Sequence, residues 1–297
     1  MFNLDNCSWE EKQSMPTARS EFASITHNNK IYVLGGISGD KALSNFEVYN
    51  AIENTWKTLE NLPIPNHHGA LGIVENKIYL IGGFVDLSWR HANGIIFEYD
   101  IESNKWNNYD ELFWLRVAHS AETVDNNIYI FGGHGYKPSH LLYYNPLTKK
   151  MKELETNMPA PADHIATTID KNNFIVLGGR FRNGNLQTIR IFDRKKNRWM
   201  ANEGLPYPTS GHIAEIVNNR LHVAGGEDID KKTTFNSHYY YDFDENKWFE
   251  SIQLPQSLHG IGSAVIEDRL FIFGGATGAG ELTFNSVQDK IYELTCN

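Results

Sequence analysis

Lys30-Ile31-Tyr32-Val33-Leu34-Gly35-Gly36 is a short β-prone run closed by a glycine pair, and the pattern returns five more times in the 297-residue chain. The pairs are Gly35-Gly36, Gly82-Gly83, Gly132-Gly133, Gly178-Gly179, Gly225-Gly226 and Gly274-Gly275, spaced 47, 50, 46, 47 and 49 residues apart. A fixed period of this size describes an array of like units, none of which can bury its apolar face alone. The repeats run end to end without a linker, so residues 1–297 are expected to form one domain.

Each unit carries more than the glycines. Polar pairs such as Asn28-Asn29, Asn126-Asn127 and Asn218-Asn219 precede the glycine-ended strand. They suit the left-handed backbone of a two-residue hairpin turn. An aromatic or aliphatic run follows, for example Val48-Tyr49, Phe97-Glu98-Tyr99 and Tyr240-Tyr241. Seven residues past its aromatic stands Trp56, Trp106, Trp199 or Trp248, with Met151 in the third unit. A Leu-Pro or Met-Pro corner then leads onward, except at Leu112-Phe113. With no helical period of useful length, each unit is predicted to be four antiparallel strands, and six such units describe the blades of a β-propeller. The glycine pair lets one strand end pack against neighbouring backbone with positive φ.

The glycine pair, the downstream tyrosine and the tryptophan seven residues later resemble the kelch repeat, and the resemblance covers essentially the whole chain. It implies an all-β fold, a six-bladed kelch β-propeller. No unit ends in the Trp-Asp of WD40 blades. Trp9 precedes the Met15-Pro16 corner without a third strand before it, whereas Ile291-Tyr292-Glu293 supplies a third strand with no fourth after it. The ring is therefore expected to close with an N-terminal fourth strand completing the last blade. Cys7 and Cys296 would then lie on neighbouring strands. With no apolar run near the roughly 18 residues of a membrane span and no signal-like N-terminus, a cytoplasmic protein is expected. That setting favours free thiols.

In such a blade the connections between strands two and three, and between blades, share one face. The connections are varied there, as binding loops on rigid scaffolds are. Of 12 histidines, eight fall on this face: His67, His68, His91, His119, His134, His164, His212 and His259. Arg19, Arg90, Arg116, Arg180 and Arg182 join them, in a chain of net charge −9. That charge argues against nucleic acid. Each histidine alone has a structural alternative, bonding carbonyls of the next blade. Together they suit an anionic or polar ligand, because guanidinium forks match carboxylate and phosphate. The candidate ligand-binding set is Arg19, His67, His68, Arg90, Arg116, His119, Asp163, His164, Arg180, His212 and His259.

A metal is the rival explanation. His67, Asp163 and His259 are expected at equivalent positions in three blades, and His119 and His212 in two others. Ligands at about 2.0–2.2 Å from an ion would need the channel to narrow. The Glu-x-x-x-Asp-x-x-x-His iron pattern of plant nitrile-specifier kelch proteins is absent. No metal and no cofactor are expected.

Glu227 directly follows its glycine pair and is the candidate catalytic residue. The Gly-Glu stretch resembles that of bacterial N-acetylneuraminate mutarotases, kelch propellers in which a glutamate and a nearby arginine act on the sugar ring; here the following loop offers Lys231 and Lys232 instead. Two functions remain open. One is a recognition module for an anionic small molecule or acidic peptide segment. The other is a sugar-acid mutarotase using Glu227 as general acid and base. In either case no nucleic acid and no membrane are expected as partners, and the protein is expected to be a monomer.

Overall fold

The computed structural model describes residues 7–182, 184–202 and 204–296. Its framework is six four-stranded antiparallel sheets in sequence order. In the first blade the strands are Ala23–His27, Lys30–Leu34, Phe46–Asn50 and Thr55–Thr58. The innermost strands, Ala23–His27, Ala70–Val74, Ser120–Val124, Ala166–Asp170, Ile213–Val217 and Gly262–Ile266, each pack against the next, and the last returns to the first. The ring is closed covalently in register: Cys7–Glu11 pairs with Ile291–Cys296 as the fourth strand of the sixth blade. Cys7 faces Cys296 directly and the two are disulfide-bonded, contrary to the expectation of free thiols.

The core lies between blades, because each sheet presents apolar side chains to both of its neighbours. Tyr32 and Phe46 of the first blade pack with Leu71, Leu80, Phe97 and Tyr99 of the second. Each such side chain contributes about 1.5–3 kcal/mol when fully buried. The corner residues Met15, Leu62, Leu112, Met158, Leu205 and Leu254 are all buried, so Leu112 plugs its corner without a proline. Trp56 and Trp106 donate through Nε1 to Gln13 and Glu60 carbonyls at 2.7 and 2.9 Å, tying each fourth strand to the corner before it. The expected hairpin turns form at Asn28-Asn29 and Asn218-Asn219, both residues having positive φ. In the third blade the turn is Asp125-Asn126, one residue earlier than expected, and Asn127 opens the strand.

The glycine pairs join one blade to the next. The N–H of each second glycine donates to a carbonyl of the following blade: Gly36 to Asn66, Gly83 to Arg116, Gly133 to Ala162, Gly179 to Thr209, Gly226 to Leu258 and Gly275 to Arg19, all at 2.7–3.1 Å. A Cβ on each first glycine would meet that same carbonyl oxygen at 2.1–2.9 Å.

Inside the ring the first strands enclose a channel cavity of about 450 Å³. Glu122 and Glu215 face it, accepting hydrogen bonds from Thr167 Oγ1 and Ser263 Oγ at 2.8 Å each. Burial pushes both carboxyls up to about 7. For Glu122 the neighbouring Glu215 adds to the rise.

Two predictions follow from this geometry. Gly82→Ala should destabilise by about 3 kcal/mol, combining left-handed backbone strain with overpacking against the Arg116 carbonyl. Gly184→Ala meets open space at an ordinary φ and should change stability by less than about 0.5 kcal/mol; urea unfolding of both variants compares them. A carboxyl whose folded pKa is raised stabilises below its unfolded pKa and loses that stabilisation as pH rises through the folded value. The Glu122 and Glu215 contribution should therefore fall between about pH 4.5 and 7. Glu122→Gln should be near neutral at pH 4 and stabilising at pH 8 by on the order of 2 kcal/mol, measured by denaturation at the two pH values.

Candidate functional site

Four residues lead into each first strand, and with that strand's own first residue they make a five-residue stretch whose register is the same in every blade. In blade order they are Arg19 to Ala23, Asn66 to Ala70, Arg116 to Ser120, Ala162 to Ala166, Thr209 to Ile213 and Leu258 to Gly262. The second residue of each stretch bridges the residue just after that blade's glycine pair. Asp163 pairs with Arg180, Ser210 with Glu227, His67 with Phe84, and Val117 with His134. This bridge fixes where the side chain beyond each glycine pair emerges.

The third residues form a closed ring of backbone hydrogen bonds around the axis. His68 N–H donates to Glu21 O, Ala118 to His68, His164 to Ala118, Gly211 to His164, Gly260 to Gly211 and Glu21 to Gly260, at 2.8–3.1 Å. All six residues have φ between 50° and 62°. That conformation brings adjacent backbones together and points Glu21, His68 and His164 to one place.

Above the ring lies a cavity of about 250 Å³. Its polar wall is Glu21, His68, His164, Arg180, Glu227 and His259, and its apolar wall includes Ile37, Trp89, Ile229 and Phe284. Arg180 bridges two blades, donating from Nη1 to Glu227 Oε1 at 3.0 Å and from Nε to Asp163 Oδ1 at 3.3 Å. The other Glu227 oxygen accepts from Gly280 N–H at 3.0 Å, with His259 Nδ1 at 3.5 Å. Asp163 also takes His134 Nε2 at 2.7 Å and a short contact from His164 Nδ1. Burial opposes ionisation of Asp163, but bonds from His134 and His164 and the charge of Arg180 hold its carboxyl far below the usual range. Its hydrogen bond raises the pKa of His134.

Histidines form a second chain. His67 Nε2 lies 2.9 Å from the Asp86 carbonyl, and its Nδ1 lies 2.7 Å from His68 Nδ1. His68 Nε2 lies 3.1 Å from His164 Nε2 and 3.2 Å from Glu21 Oε2. Burial, then the neighbouring His164 and His67, push the His68 pKa well down; burial also lowers that of His67.

The residues expected at the site divide sharply. His68, His164, Arg180, His259 and Glu227 line the cavity, with His67 and Asp163 directly behind them. Arg19 and Arg116 do not reach it. Arg19 is fully buried, paired with Glu47 at 2.5 Å and bonded to the Gly35 and Asn45 carbonyls. Arg116 spends its guanidinium on the carbonyls of Ile130, Tyr136, Lys137 and His140. His119 and His212 sit at the fourth position of the stretch, not beside His67, and pack under Gly82 and Gly178. Phe22, Ile165 and Ile261 hold that place in other blades. Burial pushes both histidines down to about 3. Arg90 is exposed and outside the cavity wall.

Other features lie beyond the expected ligand-binding set. Glu21 joins the cavity, and a 3₁₀-helix, Gly280–Asn285, closes one side of it. The channel also narrows at the ring, so that ligand atoms of Glu21, His68 and His164 lie within 4.8 Å of one another, closer than expected for separate blades. Glu227, directed toward the axis by its place after the glycine pair, lines the cavity, where it is buried and paired with an arginine from the preceding blade. Lys231, the cation offered by its own loop, is turned to Asp228 at 2.8 Å.

Comparison with known proteins agrees with this architecture. Residues 73–275 match the KLHDC2/KLHL20/DRC7 Kelch-repeats domain, and residues 18–63 match the Kelch motif. Kelch-like protein terF of Aspergillus terreus is 31% identical over 230 residues, which cover 70% of this chain and 50% of that protein. Kelch-like protein 40 of Xenopus tropicalis is 26% identical over 70% of this chain and 35% of its own length. The chain thus spans about half, or less, of the curated relatives it matches. The solved structure of YjhT superimposes with a TM-score of 0.81 at 15% identity, covering 96% of this chain and 99% of that one, a likeness of fold. With six glycine-paired blades closed into a ring and family matches over most of its length, the chain belongs to the kelch-repeat family.

Proposed function

We propose that this kelch propeller is a recognition module whose axial cavity binds one small, hydroxyl-rich molecule carrying an acidic group. The observation that carries the proposal is the convergence of Arg180, two carboxylates and three imidazoles on a cavity of about 250 Å³. Alternating donors and acceptors suit hydroxyls, and the apolar wall of Trp89, Ile229 and Phe284 suits the face of a ring. An acidic peptide is the poorer fit. Two of the arginines it would need are buried, and Arg180 already faces Asp163 and Glu227. A single acidic group can share the Arg180 fork; a run of them would meet Glu21 and Glu227.

One observation favours the mutarotase as a second reading. Arg180 supplies, from the neighbouring blade, the arginine beside Glu227 that its own loop lacks. Glu227 holds one oxygen against Arg180 and the other 3.5 Å from His259 Nδ1, so a carboxylate and an imidazole stand side by side on the cavity wall, as general acid–base chemistry at one hydroxyl needs.

Calorimetric titration with N-acetylneuraminate and with a glutamate-rich peptide tests the first reading. Arg180→Met should weaken sugar-acid binding about tenfold or more, the size of one lost charged hydrogen bond. Peptide binding reduced by Arg90→Ala but indifferent to Arg180→Met would place recognition on the outer loops and overturn it. For the second reading, NMR should show anomer exchange in the wild type, abolished by Glu227→Gln with binding retained; exchange at the uncatalysed rate removes that reading.

A further inference from the structure

We propose that Glu21, His68 and His164 form a binding site for a divalent transition-metal cation at the neck of the channel, with open coordination positions facing the cavity. The site depends on proton positions and distances and on no organic ligand.

Carbonyl oxygens only accept, so the His67 Nε2 that lies 2.9 Å from the Asp86 carbonyl carries a proton. In neutral His67 the Nδ1 is then bare, and the hydrogen bond of 2.7 Å between the two Nδ1 atoms must be donated by His68. That leaves His68 Nε2 as a lone pair. In His164 the Nδ1 is committed to the Asp163 carboxylate, so its neutral form likewise presents a lone pair at Nε2. These two lone pairs and the Glu21 carboxylate face one another: 3.1 Å between the nitrogens and 3.2 Å from His68 Nε2 to Glu21 Oε2. A single added proton would bond one of these pairs, whereas one metal ion can be shared by all three acceptors.

The spacing selects the cation. Donors held about 2.1 Å from an ion lie about 3.0 Å apart at a right angle and about 3.4 Å apart at a tetrahedral one. The two observed separations fall between these values. Two imidazoles and one carboxylate suit zinc and ferrous iron, and leave positions for solvent or ligand. Each histidine is also held from behind, His68 through His67 to a carbonyl and His164 through a carboxylate, the outer-shell support that metal-bound imidazoles need. Arg180 competes: its Nη2 lies 2.8 Å from His164 Nδ1 and 2.9 Å from His164 Nε2. A metal ion at Nε2 requires Nη2 to leave the ring, with Nε and Nη1 kept on Asp163 and Glu227.

The test uses the untagged, chelator-treated full chain titrated with Co²⁺ alone, then with Zn²⁺ alone, without any sugar. One equivalent of Co²⁺ should give ligand-field absorption that Zn²⁺ displaces. His68→Ala and His164→Ala should each weaken binding at least tenfold, and His67→Ala should weaken it about tenfold through loss of orientation. Arg180→Met should tighten it, by removing both a positive charge and the competing donor. Circular dichroism checks that each variant is folded. Absence of one-equivalent binding, or affinity unchanged in the folded His68→Ala and His164→Ala variants, overturns the site. Binding weakened by Arg180→Met overturns the competition argument and with it the assigned geometry.

Discussion

Everything in this structure depends on one hydrogen bond made six times, from the N–H of a second glycine to a carbonyl just ahead of the next blade's inner strand. Sheet-to-sheet packing alone is non-directional and would let neighbouring blades slide. A backbone bond made close to the axis fixes the rotation from one blade to the next, and six equal rotations close the circle. The first glycine makes the approach possible, since any Cβ there would collide with the accepting oxygen. Ring closure then needs only a fourth strand for the sixth blade, which Cys7–Glu11 supplies and the Cys7–Cys296 disulfide locks.

The same bond positions the chemistry. It places the five-residue stretch that runs into each inner strand at a constant height, so the third residues meet in a hydrogen-bonded ring and the residues beyond the glycines stand above them. Six blades would otherwise hold equivalent side chains far apart. The ring draws the backbone inward, and this is why Glu21, His68 and His164 touch although 47 residues separate Glu21 from His68 and 96 separate His68 from His164.

How far the sequence was legible follows from the range of each interaction. Gly-Gly, the turn asparagines and the Trp9 closure are local signals with one structural solution each, so the six blades and their closure could be foreseen from them. Glu227 was also legible, because its position beyond a glycine pair sets its direction. The arginines were not. Arg19 and Arg180 both stand near the mouth, and what separates them is the buried partner Glu47 on a different strand of the blade. His119 resembles a ligand by residue type, yet its register is that of Ile165 and Phe22; counting back from the first residue of the inner strand would have placed it in the packing layer. The disulfide was discounted on compartment alone, whereas register makes the two cysteines direct neighbours.

The ring also carries a cost that bears on function. A left-handed residue other than glycine costs about 1–2 kcal/mol. Gly211 and Gly260 adopt this conformation without penalty, while Glu21, His68, Ala118 and His164 do so at φ of 50° to 57°. Ala118 shows that the conformation belongs to the ring and not to a ligand. The other three place a carboxylate and two imidazoles in the cavity and leave them facing one another, an arrangement that glycine at all six positions would avoid at lower backbone energy. Left-handed residues also occupy the outer turns, Asn28, Asn104 and Asn218 among them, so the strain itself marks no site; what is particular to Glu21, His68 and His164 is that it brings three polar side chains together in one cavity, the kind of fixed first layer a binding site needs.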